Sequence, residues 1–91
     1  MTRSGVSSIS IRWERRAVKE LRRLPHDIQA LVLADVESLR LDPSRGQQLS
    51  GQWKGLRRLR VGSVRVIYGF NGTELLITVL RVEHRREVYR K

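Results

Sequence analysis

The stretch V-R-V-I-Y-G-F-N-G-T-E-L-L-I-T-V-L-R-V, Val64 to Val82, decides the architecture. Val64 to Phe70 is dense in β-branched and aromatic residues, the types that suit a pleated, half-buried surface. Asn71-Gly72 follows, the dipeptide that most readily takes the positive-φ positions of a tight hairpin. Glu74 to Val82 is then a strand returning beside the first. Just upstream, Gly62-Ser63 reads as a Gly-X turn of the II′ kind, so Gly55 to Val61 is a third strand. Arg85 to Tyr89 either continues the last strand or forms a short segment after it.

Further upstream the period changes. Ser44 to Lys54 is a polar connection containing Gly46 and Gly51. Trp53 at its end is expected to anchor the loop to the core. Before it, Ile28, Leu31, Val32, Val36 and Leu39 recur at helical spacing. This helix opens at His26-Asp27, where the acid suits a helix N-terminus. It stops near Leu41, because Asp42-Pro43 favours an extended or turn conformation. Ala17, Val18, Leu21 and Leu24 form the stripe of an earlier helix that begins near Glu14 and is ended by Pro25. Ser8 to Trp13 alternates Ile9, Ile11 and Trp13 with polar residues, the pattern of a half-buried strand. The order is β-α-α-β-β-β. It predicts an α+β fold, a two-helix hairpin packed on a small, mainly antiparallel twisted sheet. Length predicts a single domain over residues 1–91.

Charge narrows the partners. Lys and Arg total 19 against 9 acids, a net charge of +10. All but Lys19, Lys54 and Lys91 of the basic residues are Arg. A guanidinium grips two phosphate oxygens at once, whereas an ammonium acts as a point charge. Such a surface favours a polyanion. There is no cysteine, so disulfides, thiolate metal sites and a cysteine nucleophile are excluded. No run approaches the roughly 18 apolar residues that span a membrane. Met1 to Ser10 lacks an apolar core of the signal-peptide kind. A cytoplasmic protein is expected.

The basic residues concentrate in the sheet half. From Gly55 onward there are nine basic residues and three acids, Glu74, Glu83 and Glu87. Side chains alternate along a strand. If Leu59 and Val61 face the core, Arg58 and Arg60 point outward. Arg57 then starts the core face, its stem packing and its head reaching out. Arg65 lies just across the two-residue turn and can neighbour the Arg58/Arg60 ladder. Tyr68 shares the face of Val64 and Val66 and is expected to pack with them.

Two strings, L-R-R-L-R-V-G-S-V-R-V-I-Y (Leu56 to Tyr68) and V-L-R-V-E-H-R-R-E-V-Y-R (Val79 to Arg90), resemble the RelE/ParE superfamily of bacterial and archaeal toxins, the RelE branch most closely. The A-V-K-E-L-R-R-L-P helix (Ala17 to Pro25) and the D-P-S-R-G-Q-Q-L-S-G connection (Asp42 to Gly51) extend the resemblance over nearly the whole chain. It implies a type II toxin–antitoxin toxin that cleaves mRNA on the ribosome, in the 16S rRNA decoding site. It also implies a cognate acidic antitoxin, RelB-like or similar. Carried over position by position, the family's cleavage residues fall at Arg58, Arg60, Arg65, Arg85 and Tyr89. This chain has Arg where the best-known members have Lys at both strand positions, 58 and 60.

That change constrains the chemistry. RNA carries its own nucleophile, the 2′-hydroxyl. Cleavage needs that hydroxyl activated, the charge on phosphorus stabilised and the 5′-oxygen protonated. Arg58, Arg60, Arg65 and Arg85 can clamp phosphate. Arginine cannot be deprotonated in a protein, so the base lies elsewhere. His84 is of the side-chain type that titrates near neutrality. Tyr89 can act as a proton acceptor or stack on a nucleobase. No paired carboxylates, phosphate loop or metal-ligand cluster is visible, so no cofactor is expected and the expected enzyme is a metal-independent endoribonuclease. Two alternatives stand beside it. One is a non-catalytic, ParE-like inhibitor of DNA gyrase. The other is a plain RNA-binding module, whose binding would weaken steeply with salt.

Overall fold

The computed structural model describes residues 8–84. Strand β1 (Ser10–Trp13) leads into helix α1 (Arg15–Arg22), and helix α2 (His26–Ser38) returns across the sheet. Then come β2 (Gln47–Gln48), a single 3₁₀ turn (Gly51–Trp53), β3 (Arg57–Val61), β4 (Val64–Asn71) and β5 (Leu76–His84). The five strands lie in the order β1-β5-β4-β3-β2. The three consecutive pairs from β2 to β5 are antiparallel, and β1 runs parallel to β5. The fold is α+β, as expected. The two-residue β2 is an addition: the polar connection pairs Gln47 with Arg58 and Gln48 with Arg57 before it turns away.

One face of the sheet takes both helices. Leu59, Val61, Val64, Val66, Tyr68, Ile77, Val79 and Val82 meet Ala17, Leu21, Leu24, Val32, Val36 and Leu39 in one buried cluster. Burial of such apolar surface is the main source of stability. The α2 stripe is narrower than its spacing suggests. Leu31 is 62% exposed, because it lies roughly a quarter-turn off the arc of Val32, Val36 and Leu39. Trp53 is also exposed, at 38%, and does not act as a buried loop anchor.

Tyr68 holds the connection instead. It is fully buried, and its hydroxyl donates to the Pro43 carbonyl at 2.7 Å and accepts from the Gly46 N–H at 2.9 Å. Burial pushes its phenol above the ordinary tyrosine range. Gly46 sits so close that an added Cβ would fall 2.7 Å from that hydroxyl and 2.9 Å from the Arg58 carbonyl. The head of Arg57 completes the tie, donating to the carbonyls of Ser44 at 3.0 Å and Gly46 at 2.7 Å.

The two hairpins differ. Gly62 has φ +61 and Val61 pairs with Val64, as a two-residue turn beginning with glycine requires. At Asn71-Gly72 the expected two-residue turn does not form. Asn71 pairs with Leu76 across a longer loop. Its Oδ1 accepts from the N–H groups of Thr73 at 2.9 Å and Glu74 at 3.0 Å, and Leu75 takes the positive φ of +53. The asparagine thus acts through its side chain as an Asx turn. Asn71→Ala is expected to lower stability by about 0.5–2 kcal/mol, the range for losing a comparable side-chain cap. Urea denaturation would measure it.

A second irregularity shapes the outer face. The β4–β5 register shifts between Ile67, opposite Arg81, and Tyr68, opposite Val79. The extra residue in β5 is a β-bulge that reverses its alternation. Ile77 and Val79 face the core before it, and Val82 after it. Arg81 and Glu83 are thereby placed on the outer face.

Candidate functional site

Cross-strand register sets two charged rows on the outer face. One row is Arg60, Arg65 and Glu83, on β3, β4 and β5. The next is Arg58, Ile67 and Arg81. Directly opposed residues lie about 5 Å apart, so each row is a continuous strip. Ile67 is buried between the two arginines although it lies off the helix-covered core. Aliphatic arginine stems can cover such a residue while their heads stay in water.

Two clefts flank this patch. The first, about 430 Å³, lies along β3 and is lined by Arg45, Gly46, Gln47, Arg58 and Arg60, with Asp35 from α2. Asp35 is paired with Arg45 at 3.2 Å, and Arg58 donates to Gln47 Oε1 at 2.6 Å. The second, about 400 Å³, lies between α1 and the end of β5. Arg16 and Arg23 meet Arg65, Arg81, Glu83 and His84 there, with Glu20 at its base.

The second cleft exists because β1 stops short. Its last pair is Trp13 with Val79, so β5 has no described strand neighbour on that side beyond this point. The Glu20 carboxylate of α1 fills the gap, accepting the Val82 N–H at 2.7 Å. It also binds Arg81 at 3.0 Å and lies 3.5 Å from Arg16. Glu83 in turn pairs with Arg65 and with Arg81, each at 3.2 Å. Arg65 is therefore not left uncompensated. Across the patch, Arg58, Arg60, Arg65 and Arg81 still outweigh the two carboxylates of Glu83 and Glu20.

The expected residues are divided. Arg58 and Arg60 line the first cleft, Arg65 and His84 the second, and the Arg60–Arg65 register pair joins the two groups. His84 lies opposite Val64, with Nε2 3.4 Å from Ser63 Oγ. Arg85 and Tyr89 lie outside the described residues. Arg16, Arg23, Arg45, Arg81 and Glu83 join the site beyond what the residue pattern predicts. Arg81 and Glu83 escape simple alternation because of the bulge. The α1 arginines reach the site only because α1 packs along the β5 edge. Among the described residues no group of three His, Cys, Asp or Glu could hold a metal ion, and no helix is long and apolar enough to cross a membrane.

Comparison with other proteins places this geometry. The profile of the ParE toxin family, of the type II toxin–antitoxin system parDE, matches residues 11–89. The toxin RelG of Mycobacterium tuberculosis is 30% identical over 84 residues, 90% of this chain and 97% of that protein. In the toxin–antitoxin complex RelBE2 of the same organism, a chain 29% identical superposes with a TM-score of 0.80, over 86% of this chain and 92% of that one. The archaeal RelE–RelB complex of Pyrococcus horikoshii gives 27% identity and a TM-score of 0.74, over 86% and 96%. The chain belongs to the RelE/ParE superfamily of type II toxin–antitoxin toxins.

Proposed function

We propose that this toxin is a metal-independent endoribonuclease that cleaves mRNA on the ribosome through attack of a ribose 2′-hydroxyl on the adjacent phosphate. The carrying observation is the Arg60–Arg65 register pair on the outer face of the sheet, between two arginine-lined clefts at its edges. A phosphate between these guanidiniums is gripped from two strands. They stabilise the charge that grows on its oxygens as the fifth bond to phosphorus forms. Arg58 and Arg81 in the neighbouring row extend the positive surface for adjoining phosphates. His84, one residue past Glu83 and so on the other side of β5, lines the second cleft and supplies a group able to carry a proton there. Arg85 and Tyr89 follow it in the chain and complete the proposed set.

A cognate antitoxin is part of this reading. The relatives above were solved as complexes, RelBE2 and RelE–RelB, which supports a RelB-like partner here. The net charge of +10 supports an acidic segment covering the arginine surface.

Incubation of the purified toxin with programmed ribosomes tests the reading. The expected result is message cut on the ribosome, leaving a 2′,3′-cyclic phosphate and a 5′-hydroxyl. Intact message would defeat the proposal. A ParE-like gyrase inhibitor is the second reading, favoured by the family profile that matches residues 11–89. Supercoiling inhibited while mRNA stays whole would establish it. Binding to free RNA, through phosphate contacts, is expected to weaken by an order of magnitude or more between about 50 and 200 mM salt. Filter binding at several salt concentrations reads this out.

A further inference from the structure

We infer that Glu83 is the general base of this cleavage, an assignment that rests on the ribonuclease reading above. A base must be found, because arginine cannot release its proton. The sheet face offers one carboxylate in line with the clamp. The bulge in β5 turns Glu83 outward, into the same row as Arg60 and Arg65.

Its bonding leaves capacity. One oxygen, Oε1, meets Arg65 at 3.2 Å, and the other, Oε2, meets Arg81 at 3.2 Å. An ionised carboxylate has roughly four lone-pair sites, so each oxygen can accept another proton donor. The side chain keeps 22% of its surface open, beside a cleft of about 400 Å³. Glu20, the other acid of that cleft, is spent differently. It holds the Val82 N–H at 2.7 Å, Arg81 at 3.0 Å and Arg16 at 3.5 Å. Asp35, on α2, lines the first cleft and is paired with Arg45. Of the described acids lining the two clefts, Glu83 alone stands in register with the Arg60–Arg65 pair.

The reaction balances with groups at hand. A phosphate gripped by Arg65 brings the neighbouring ribose toward the carboxylate already seated on that guanidinium. Glu83 takes the proton of the 2′-hydroxyl as the 2′-oxygen bonds to phosphorus. The bond from phosphorus to the 5′-oxygen breaks, and that oxygen receives a proton from solvent. The products are a 2′,3′-cyclic phosphate and a 5′-hydroxyl. Glu83 then releases its proton to solvent and returns to the carboxylate. Arg65 and Arg81 orient the carboxylate between them.

The test compares wild type with Glu83→Gln and Glu83→Asp in single-turnover cleavage on programmed ribosomes. Affinity for the ribosome and thermal unfolding are measured in parallel. Glu83→Gln is expected to cleave about 100-fold or more slowly. Its affinity should hold or rise, because a negative charge has left a basic surface. Glu83→Asp, which keeps a carboxylate, should recover part of the rate. If Glu83→Gln stays within about threefold of wild type, the assignment is overturned while the ribonuclease reading survives. It is overturned as well if Glu83→Asp is as slow as Glu83→Gln, since restoring a carboxylate then restores no chemistry and the residue only positions Arg65. Message left intact by the wild type removes the parent reading and this one together.

Discussion

Arg65→Ala is expected to slow mRNA cleavage by about 100-fold or more, the scale on which one preorganised charge-stabilising donor acts. Arg65 is the middle member of the Arg60–Arg65–Glu83 row, and no other described outer-face guanidinium is flanked by both an arginine and a carboxylate in register. Loss of its side chain breaks the phosphate grip and frees Glu83 from one of its two partners. The fold should barely notice. The Arg65–Glu83 pair is partly exposed, at 33% and 22%, and such pairs contribute about 0–1 kcal/mol. Arg65→Lys should fall between, because it keeps the charge and loses the two-pronged geometry. Single-turnover rates on programmed ribosomes, beside melting curves, measure both effects. Wild-type rates in Arg65→Ala would place the chemistry elsewhere.

The largest loss of stability is expected at Tyr68. Tyr68→Ala removes a fully buried aromatic side chain and should lower stability by about 3–5 kcal/mol. A domain of this size is stable by only about 5–15 kcal/mol, so the variant sits near its unfolding threshold. Tyr68→Phe isolates the hydroxyl. It leaves the Gly46 N–H and the Pro43 carbonyl without their partner and should lower stability by about 1–3 kcal/mol. The same hydroxyl makes stability depend on alkaline pH. Burial keeps the native phenol protonated above the ordinary tyrosine pKa. As pH climbs past about 10, the unfolded chain loses the phenol proton first. The contribution is complete below that point and declines as pH rises toward the native pKa. Tyr68→Phe should lack this decline. Urea denaturation of both proteins across that pH range decides the matter.

Where the chain obeys local rules, its structure is legible from its residues. Gly62 at φ +61 places Val61 opposite Val64, and that register puts Arg60 opposite Arg65. Hairpin chemistry and period-two alternation suffice to foresee this pair. Asn71 departs from the expected hairpin for a local reason: the dipeptide suits a tight turn, but the Asn71 side chain captures two backbone N–H groups and opens a longer loop. Leu31 departs from the expected stripe for a non-local one. An apolar residue at the border of a helical stripe is buried only if another element covers it, and here none of the described ones does so fully.

The amino-acid sequence by itself determined the β-α-α-β-β-β order, the outward Arg58 and Arg60, and a basic surface suited to phosphate. These follow from backbone propensity, side-chain alternation and net charge, all of which are read from residue types and their spacing. Only the tertiary structure decided that β1 ends opposite Val79, so that Glu20 replaces a strand and α1 brings Arg16 and Arg23 to the β5 edge. Only the tertiary structure, too, placed Arg81 and Glu83 on the outer face. Strict alternation from Ile77 and Val79 would have turned both toward the core. The bulge reverses it, because burying Tyr68 opposite Val79 and Val66 opposite Val82 takes one more residue from β5 than from β4.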